Sequence, residues 1–229
     1  MTTNPDRASF DLVIFDCDGV LVDSEVISCR AHAETLTRCG YPITEEQVLE
    51  RFLGVSDREA RLIVEAEIGR ALPDDFEAQV KNSTLRFYAG DLRAISNVGT
   101  AITAIGVPKC VASSGTPEKI RHGLVCAGLY DTFAPSIFSA TQVERGKPAP
   151  DLFLFAAERM GASATRSVVI EDSVPGVTAA LAAGMKVLGF HGGSHCRPGY
   201  GEMLRAAGAT RTFDDMRQLP DLIRRIEAS

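Results

Sequence analysis

A chain of 229 residues, 45% hydrophobic and 24% charged, has material for one domain with an insertion or for two small ones, and is too apolar for wholesale disorder. Its net charge of −6 comes with no lysine or arginine run, which argues against a nucleic-acid or anionic-membrane surface, so any anionic substrate must be attracted locally. Met1 to Arg7 lacks the basic and apolar regions of a signal peptide, no apolar run approaches a membrane span, and the 6 cysteines include no Cys-x-x-Cys pair; the expectation is a cytoplasmic protein with reduced thiols.

The first element is the apolar run Leu12-Val-Ile-Phe15, a buried parallel strand that leads directly into Asp16-Cys-Asp18-Gly19. Both carboxylates then fall at the strand's carboxyl end, where open α/β sheets bind ligands. Two acids so close repel, and persist if a cation neutralises them or if their pKa values are split. A capped turn or a calcium loop could also carry such a string, but a calcium loop needs further oxygen ligands where Val20, Leu21 and Val22 stand. Cys17 reads as a packed thiol.

From Asp23 the pattern turns helical for about seventy residues. Asp23-Ser24 can cap a helix to about Cys39, Thr44 opens a second to about Phe52, Ser56 a third through Ile68, and Pro73-Asp74 a fourth to about Tyr88. Four helices exceed an ordinary βαβ crossover, so residues 22–91 are expected to form an inserted helical domain, with 1–21 and 92–229 as an α/β core. Beyond Asp91 helices and strands alternate. Helix Thr100–Ile105 precedes strand Lys109–Ser113, helix Pro117–Cys126 precedes strand Ser136–Phe138, helix Pro150–Met160 precedes strand Ser167–Ile170, and helix Val174–Ala183 precedes strand Met185–Phe190. Asp214 to Ile226 reads as a closing helix, and the whole as a parallel sheet with helices on both faces.

The other strand ends carry further reactive groups. After Lys109–Ala112 come Ser113-Ser114-Gly115-Thr116, a hydroxyl and free backbone N–H groups suited to an anion, though equally an ordinary helix cap. Lys147 lies in a loop stiffened by Pro148 and Pro150, as a fixed cation for a phosphate or a solvated lysine. Strand Ser167–Ile170 ends in Glu171-Asp172-Ser173, and four carboxylates at one edge call for a divalent cation. Hard oxygen donors without thiolate or imidazole spacings favour Mg²⁺ over zinc.

Taken in order, Asp16-x-Asp18-Gly-Val-Leu-Val-Asp-Ser, Ser113, Lys147-Pro-x-Pro-Asp and Glu171-Asp172-Ser resemble the haloacid dehalogenase superfamily, specifically its β-phosphoglucomutase-like branch with a small helical cap. The resemblance implies a Rossmann-like core of strand order 5-4-1-2-3 with the active site beneath the cap. It implies Asp16 as nucleophile forming an aspartyl-phosphate and Asp18 as acid and base. It implies Mg²⁺ held by Asp16, the backbone carbonyl of Asp18, Asp172 and Glu171, with Ser113, Ser114 and Lys147 on the phosphate. The implied function is a phosphatase of a small phosphorylated metabolite such as a sugar phosphate. A hexose-phosphate mutase is the alternative, which Gly54-Val55-Ser56 resembles, but that enzyme carries an arginine and a histidine where this chain has Asp57 and Ser28. A phospho-acceptor module is a third reading, disfavoured by the cap. Glu25, Ser28, Arg51 and Arg58 are candidate cap residues for specificity. His191, His195 and Cys196 suggest a metal site, but two glycines make Phe190-His-Gly-Gly-Ser-His-Cys196 read as a flexible loop outside the chemistry. Substrate identity and oligomeric state leave no sequence signal.

Overall fold

The computed structural model describes residues 10–52, 55 and 57–226. The expectations for Met1–Arg7, Gly54 and Ser56 lie outside these. β1 (Leu12–Phe15) has no exposed residue. A strand covered on both faces needs strands beside it and helices above and below. Before the next strand come α1 (Glu25–Arg38), α2 (Glu45–Phe52), α3 (Asp57–Ile68), α4 (Phe76–Asp91) and α5 (Val98–Ala104). Then follow β2 (Lys109–Ser113), α6 (Pro117–Cys126), α7 (Tyr130–Phe133), β3 (Ile137–Ser139), α8 (Asp151–Arg159) and β4 (Ser167–Glu171). The chain continues through α9 (Val174–Ala182), β5 (Lys186–Phe190), α10 (Tyr200–Ala206), β6 (Arg211–Phe213) and α11 (Leu219–Arg225).

The strands form one parallel sheet ordered β3-β2-β1-β4-β5-β6. Its first five strands have the expected order 5-4-1-2-3, and β6 extends the β5 edge. That sixth strand escapes a sequence reading because of its three residues only Phe213 is buried. The helices α7 and α10 were likewise unanticipated, being four and seven residues long.

Side chains alternate between two apolar layers, as a pleated strand requires. Val13, Phe15, Val111, Ile170 and Leu188 face Ala101 and Ile102 of α5, Ile120 and Leu124 of α6 and Leu219 of α11. Leu12, Ile14, Cys110, Ala112, Val169 and Val187 face Phe153 and Ala156 of α8 and Val177 and Ala180 of α9. Each fully buried Leu, Ile, Val or Phe contributes roughly 1.5–3 kcal/mol, and truncating Ile14 to Ala would cost about 2–5 kcal/mol. The four helices α1–α4 bury a separate cluster of their own, Leu36, Val48, Val64, Phe76 and Val80 among its members. No helix among the described residues is long and apolar enough to cross a membrane.

Register aligns the reactive edge. Phe15 pairs with Val111 on one side and Ile170 on the other, and the Asp16 amide donates to the Ile170 carbonyl at 3.0 Å. The residues that follow in β1, β2 and β4 therefore emerge side by side.

Candidate active site

Asp16, Glu171 and Asp172, all buried, each bring a carboxylate oxygen within 4.8 Å of the other two. Lys147 is threaded among them. Its side chain is 4% exposed, its Nζ donates to Asp16 Oδ1 at 2.8 Å and to Glu171 Oε1 at 2.6 Å, and it lies 4.9 Å from the centre of the Phe153 ring. The solvated-lysine reading is thereby corrected: two anionic partners and an aromatic wall make burial of this ammonium tolerable. Burial would depress its pKa, but Asp16 and Glu171 outweigh that and raise it.

Glu171 is satisfied at both oxygens, since Oε2 also accepts from the Ser173 amide and hydroxyl, each at 2.9 Å. It is thus an anchor for Lys147. Burial raises the Asp16 carboxyl well above its ordinary value; Lys147 only partly offsets this, and Glu171 and Asp172 add to it. Gly19 has φ +73°, and a Cβ there would lie 1.8 Å from Asp172 Oδ2, so the turn after β1 can approach Asp172 only with glycine.

Asp18 sits in a different shell. Ser24 donates its hydroxyl to Oδ1 at 2.7 Å, Tyr88 donates to the same oxygen at 3.3 Å, and the Lys119 ammonium lies 3.2 Å from Oδ2. Burial would raise this carboxyl, but Lys119 and the two hydroxyls outweigh it and hold Asp18 below the ordinary carboxylate range. The expected capping role of Asp23-Ser24 is corrected here. Ser24 makes no cap bond to α1 because its hydroxyl is spent on Asp18, while Asp23 Oδ1 accepts from the amide and hydroxyl of Ser194.

Ser113 is buried at the end of β2, its Oγ accepting from the Gly115 amide at 3.1 Å, and Ser114 is exposed beside it. Thr116 caps α6 by accepting from the Lys119 amide, so the helix-cap reading of this string holds at Thr116. Glu25, half-buried at the start of α1, is pushed up to about 7 by burial and then by the Asp18 charge, with Lys119 and His195 opposing. Ser28 places a buried hydroxyl on the same helix. Arg51 is engaged elsewhere: its guanidinium bonds Glu67 and the Tyr41 hydroxyl at 2.6 Å and stacks over Phe52, within the helical module. Arg58 is exposed on α3.

Four contributors were not anticipated. Lys119 lies unremarked in the helix expected from Pro117, Ser24 is read as a helix cap, Tyr88 as a helix end, and His195 as part of a loop outside the chemistry. His195 is instead 1% exposed, with Nε2 3.2 Å from Asp172 Oδ2. Burial would lower its pKa, but Asp172 and Cys196 raise it to about 10. Only for Lys119 was there a signal, a cation in the first turn of the helix following the Ser113 anion-binding string.

The donor set fits a hard divalent cation. It offers carboxylate oxygens only, and its span is comparable to the roughly 4.2 Å across a Mg²⁺ shell with bonds of about 2.1 Å. The shift on Asp16 is also of the kind that a neighbouring cation reverses.

A family model described as haloacid dehalogenase-like hydrolase matches residues 13–190. A 6-phosphogluconate phosphatase of Escherichia coli (strain K12) is 33% identical over 213 residues, covering 93% of this chain and 94% of that one. Among solved structures, a conserved haloacid dehalogenase-like protein of unknown function from Agrobacterium tumefaciens has a TM-score of 0.84 and 40% identity, covering 93% of this chain and 97% of that chain. A HAD-family hydrolase from Deinococcus radiodurans R1, solved with bound phosphate and sodium, has a TM-score of 0.77 and 31% identity, covering 93% and 94%.

Proposed function

The chain belongs to the haloacid dehalogenase-like hydrolases, and within that family we propose that it is a phosphatase of small phosphorylated metabolites, sugar phosphates foremost, working through Asp16 with Mg²⁺. The observation that carries this reading is the position of Asp16: at the end of β1, nearly buried, 2.8 Å from Lys147 and grouped with two further acids.

Asp16 attacks the phosphorus of the substrate while Asp18 gives a proton to the departing alcohol oxygen, leaving a phosphoryl group on Asp16. Asp18 then takes a proton from water, which attacks the same phosphorus, releases inorganic phosphate and restores the Asp16 carboxylate. Lys147, kept in place by Glu171, and the Ser113 hydroxyl with the amides after it stabilise the charge that develops on the transferring oxygens. Mg²⁺ held by Asp16, Asp172 and the Asp18 carbonyl would supply further neutralisation of those oxygens. The pair Lys119 and Ser24 with Tyr88 holds Asp18 ionised, the form that activates water. Residues 22–91 act as the cap over this site, and Glu25 and Ser28 are its closest specificity candidates.

Phosphate release from a panel of phosphorylated sugars with Mg²⁺ tests the activity, and acid-quenched mass spectrometry tests for a phosphoryl group on the Asp16 peptide. Asp16→Asn should turn over nothing; appreciable turnover, with deamidation excluded by mass, would sink the assignment.

A further inference from the structure

The loop after β5, Phe190-His-Gly-Gly-Ser-His-Cys196, has no part in the reaction as written above. It is folded inward and anchored: the Ser194 amide and hydroxyl donate to Asp23 Oδ1 at 3.0 and 2.8 Å, and the Cys196 amide donates to the Gly193 carbonyl at 3.0 Å. A Cβ at Gly193 would lie 2.8 Å from the His195 ring, so the chain turns back closely enough to seat that imidazole only where no side chain intervenes. His195 ends up almost fully enclosed, edge-on to Tyr200 with ring centroids 5.4 Å apart.

The three clustered acids are served unequally. Lys147 bonds Asp16 and Glu171, and Ser173 completes Glu171. His195 is the side chain that reaches Asp172, Nε2 to Oδ2 at 3.2 Å. A carboxylate can only accept, so Nε2 carries a hydrogen toward it; Nε2 is also 3.4 Å from Cys196 Sγ, and Nδ1 is buried without a partner. A carboxylate fixed at one oxygen by such a donor presents its other oxygen in a defined direction.

We infer that His195 is a positioning residue for the divalent cation: as an outer partner and not as a ligand, it orients Asp172 toward the ion. This rests on the reading of Asp172 as a ligand. Without the Nε2 donor, Asp172 can rotate away, and loss of such an outer partner typically weakens metal binding by about 10–100-fold.

Calorimetric titration of Mn²⁺ into the full chain, with melting in EDTA as the control on folding, compares the parent with His195→Gln, His195→Asn and Asp172→Asn. A glutamine amide reaches the Nε2 position and an asparagine amide reaches only that of Nδ1. The expected result is Mn²⁺ affinity within about threefold of the parent for Gln and about 10–100-fold weaker for Asn, the two melting alike in EDTA. If the Asn variant does not melt cooperatively, His195→Ser takes its place as the variant without a donor. Equal affinities for the Gln and Asn variants, at any level, overturn the inference, as does an Asn variant that binds as tightly as the parent. Unchanged Mn²⁺ binding in Asp172→Asn would remove the ligand reading and His195 with it, so that failure is distinguishable from the failure of His195 alone.

Discussion

Replacing Lys147 by Met should destabilise the protein in EDTA, whereas Asp16→Asn should leave it as stable as the parent or more so. Lys147, Asp16 and Glu171 have side chains 4%, 11% and 0% exposed, so the ammonium separates two carboxylates that water cannot screen. Its pKa is raised in the folded state, so its stabilising effect is fully present at neutral pH and fades only above the ordinary lysine range. Removing one partner of a buried ion pair costs roughly 3–5 kcal/mol, and at about 2–4 °C per kcal/mol for a chain of this size the loss is about 6–20 °C in Tm. Asp16 has the opposite sign. Its carboxyl pKa is raised in the folded state, so the stability present at low pH is lost as pH rises above the ordinary carboxylate range, a cost that an amide does not carry. Scanning calorimetry of both variants at pH 7.5 in EDTA measures this directly. Lys147→Met melting within about 3 °C of the parent, or Asp16→Asn falling as far as Lys147→Met, would refute the electrostatic account.

Glu25, raised to about 7, should make the parent lose stability relative to Glu25→Gln as pH climbs from 5 to 8, by about 1–2 kcal/mol after allowing for its partial exposure; parallel melting curves across that range would contradict this. Tyr88→Phe removes a 3.3 Å bond that favours ionised Asp18, the form that activates water, and should slow turnover about fivefold on a sugar phosphate and on p-nitrophenyl phosphate alike; a loss confined to the sugar phosphate would contradict this and tie the bond to leaving-group protonation. Water and not a sugar hydroxyl should be the final acceptor, because Ser28 titrates far outside the range of the mutase histidine; ³¹P NMR showing glucose 6-phosphate formed from β-glucose 1-phosphate faster than inorganic phosphate would restore the mutase reading.

The sheet was legible because buried parallel strands advertise themselves as short continuous apolar runs, and Leu12–Phe15, Lys109–Ser113, Ser167–Glu171 and Lys186–Phe190 all do so. Asp16, Asp18, Ser113, Lys147 and Glu171-Asp172 could be picked out because each follows such a run or a proline-stiffened turn. Side chains that arrive from helices and loops could not. Ser24 at a helix start and Asp23 beside it are indistinguishable from caps until Asp18 and Ser194 are seen to claim their oxygens. His195 lies 23 positions beyond Asp172 in a stretch whose glycines suggest looseness, yet Gly193 makes possible a close approach. Arg51, a candidate from its position in the helical module, pairs with Glu67, a partner sixteen residues on that sequence alone does not bring together with it.

The chain's own charges tune the two aspartates against the first chemical step, and this is informative. In the proposed reaction, transfer to Asp16 needs it ionised and Asp18 protonated, but burial pushes Asp16 up and Lys119 holds Asp18 down. A divalent cation beside Asp16 would oppose the first shift. The second depends on Ser24, from the segment entering α1, on Tyr88, from the last turns of α4, and on Lys119, from the core helix α6. Two of the three groups holding Asp18 therefore lie on the connections between the helical module and the sheet. On the proposed reaction, a movement of that module on substrate binding would change the hydrogen bonds that keep Asp18 ionised, and would tie the proton needed by the leaving group to the presence of substrate.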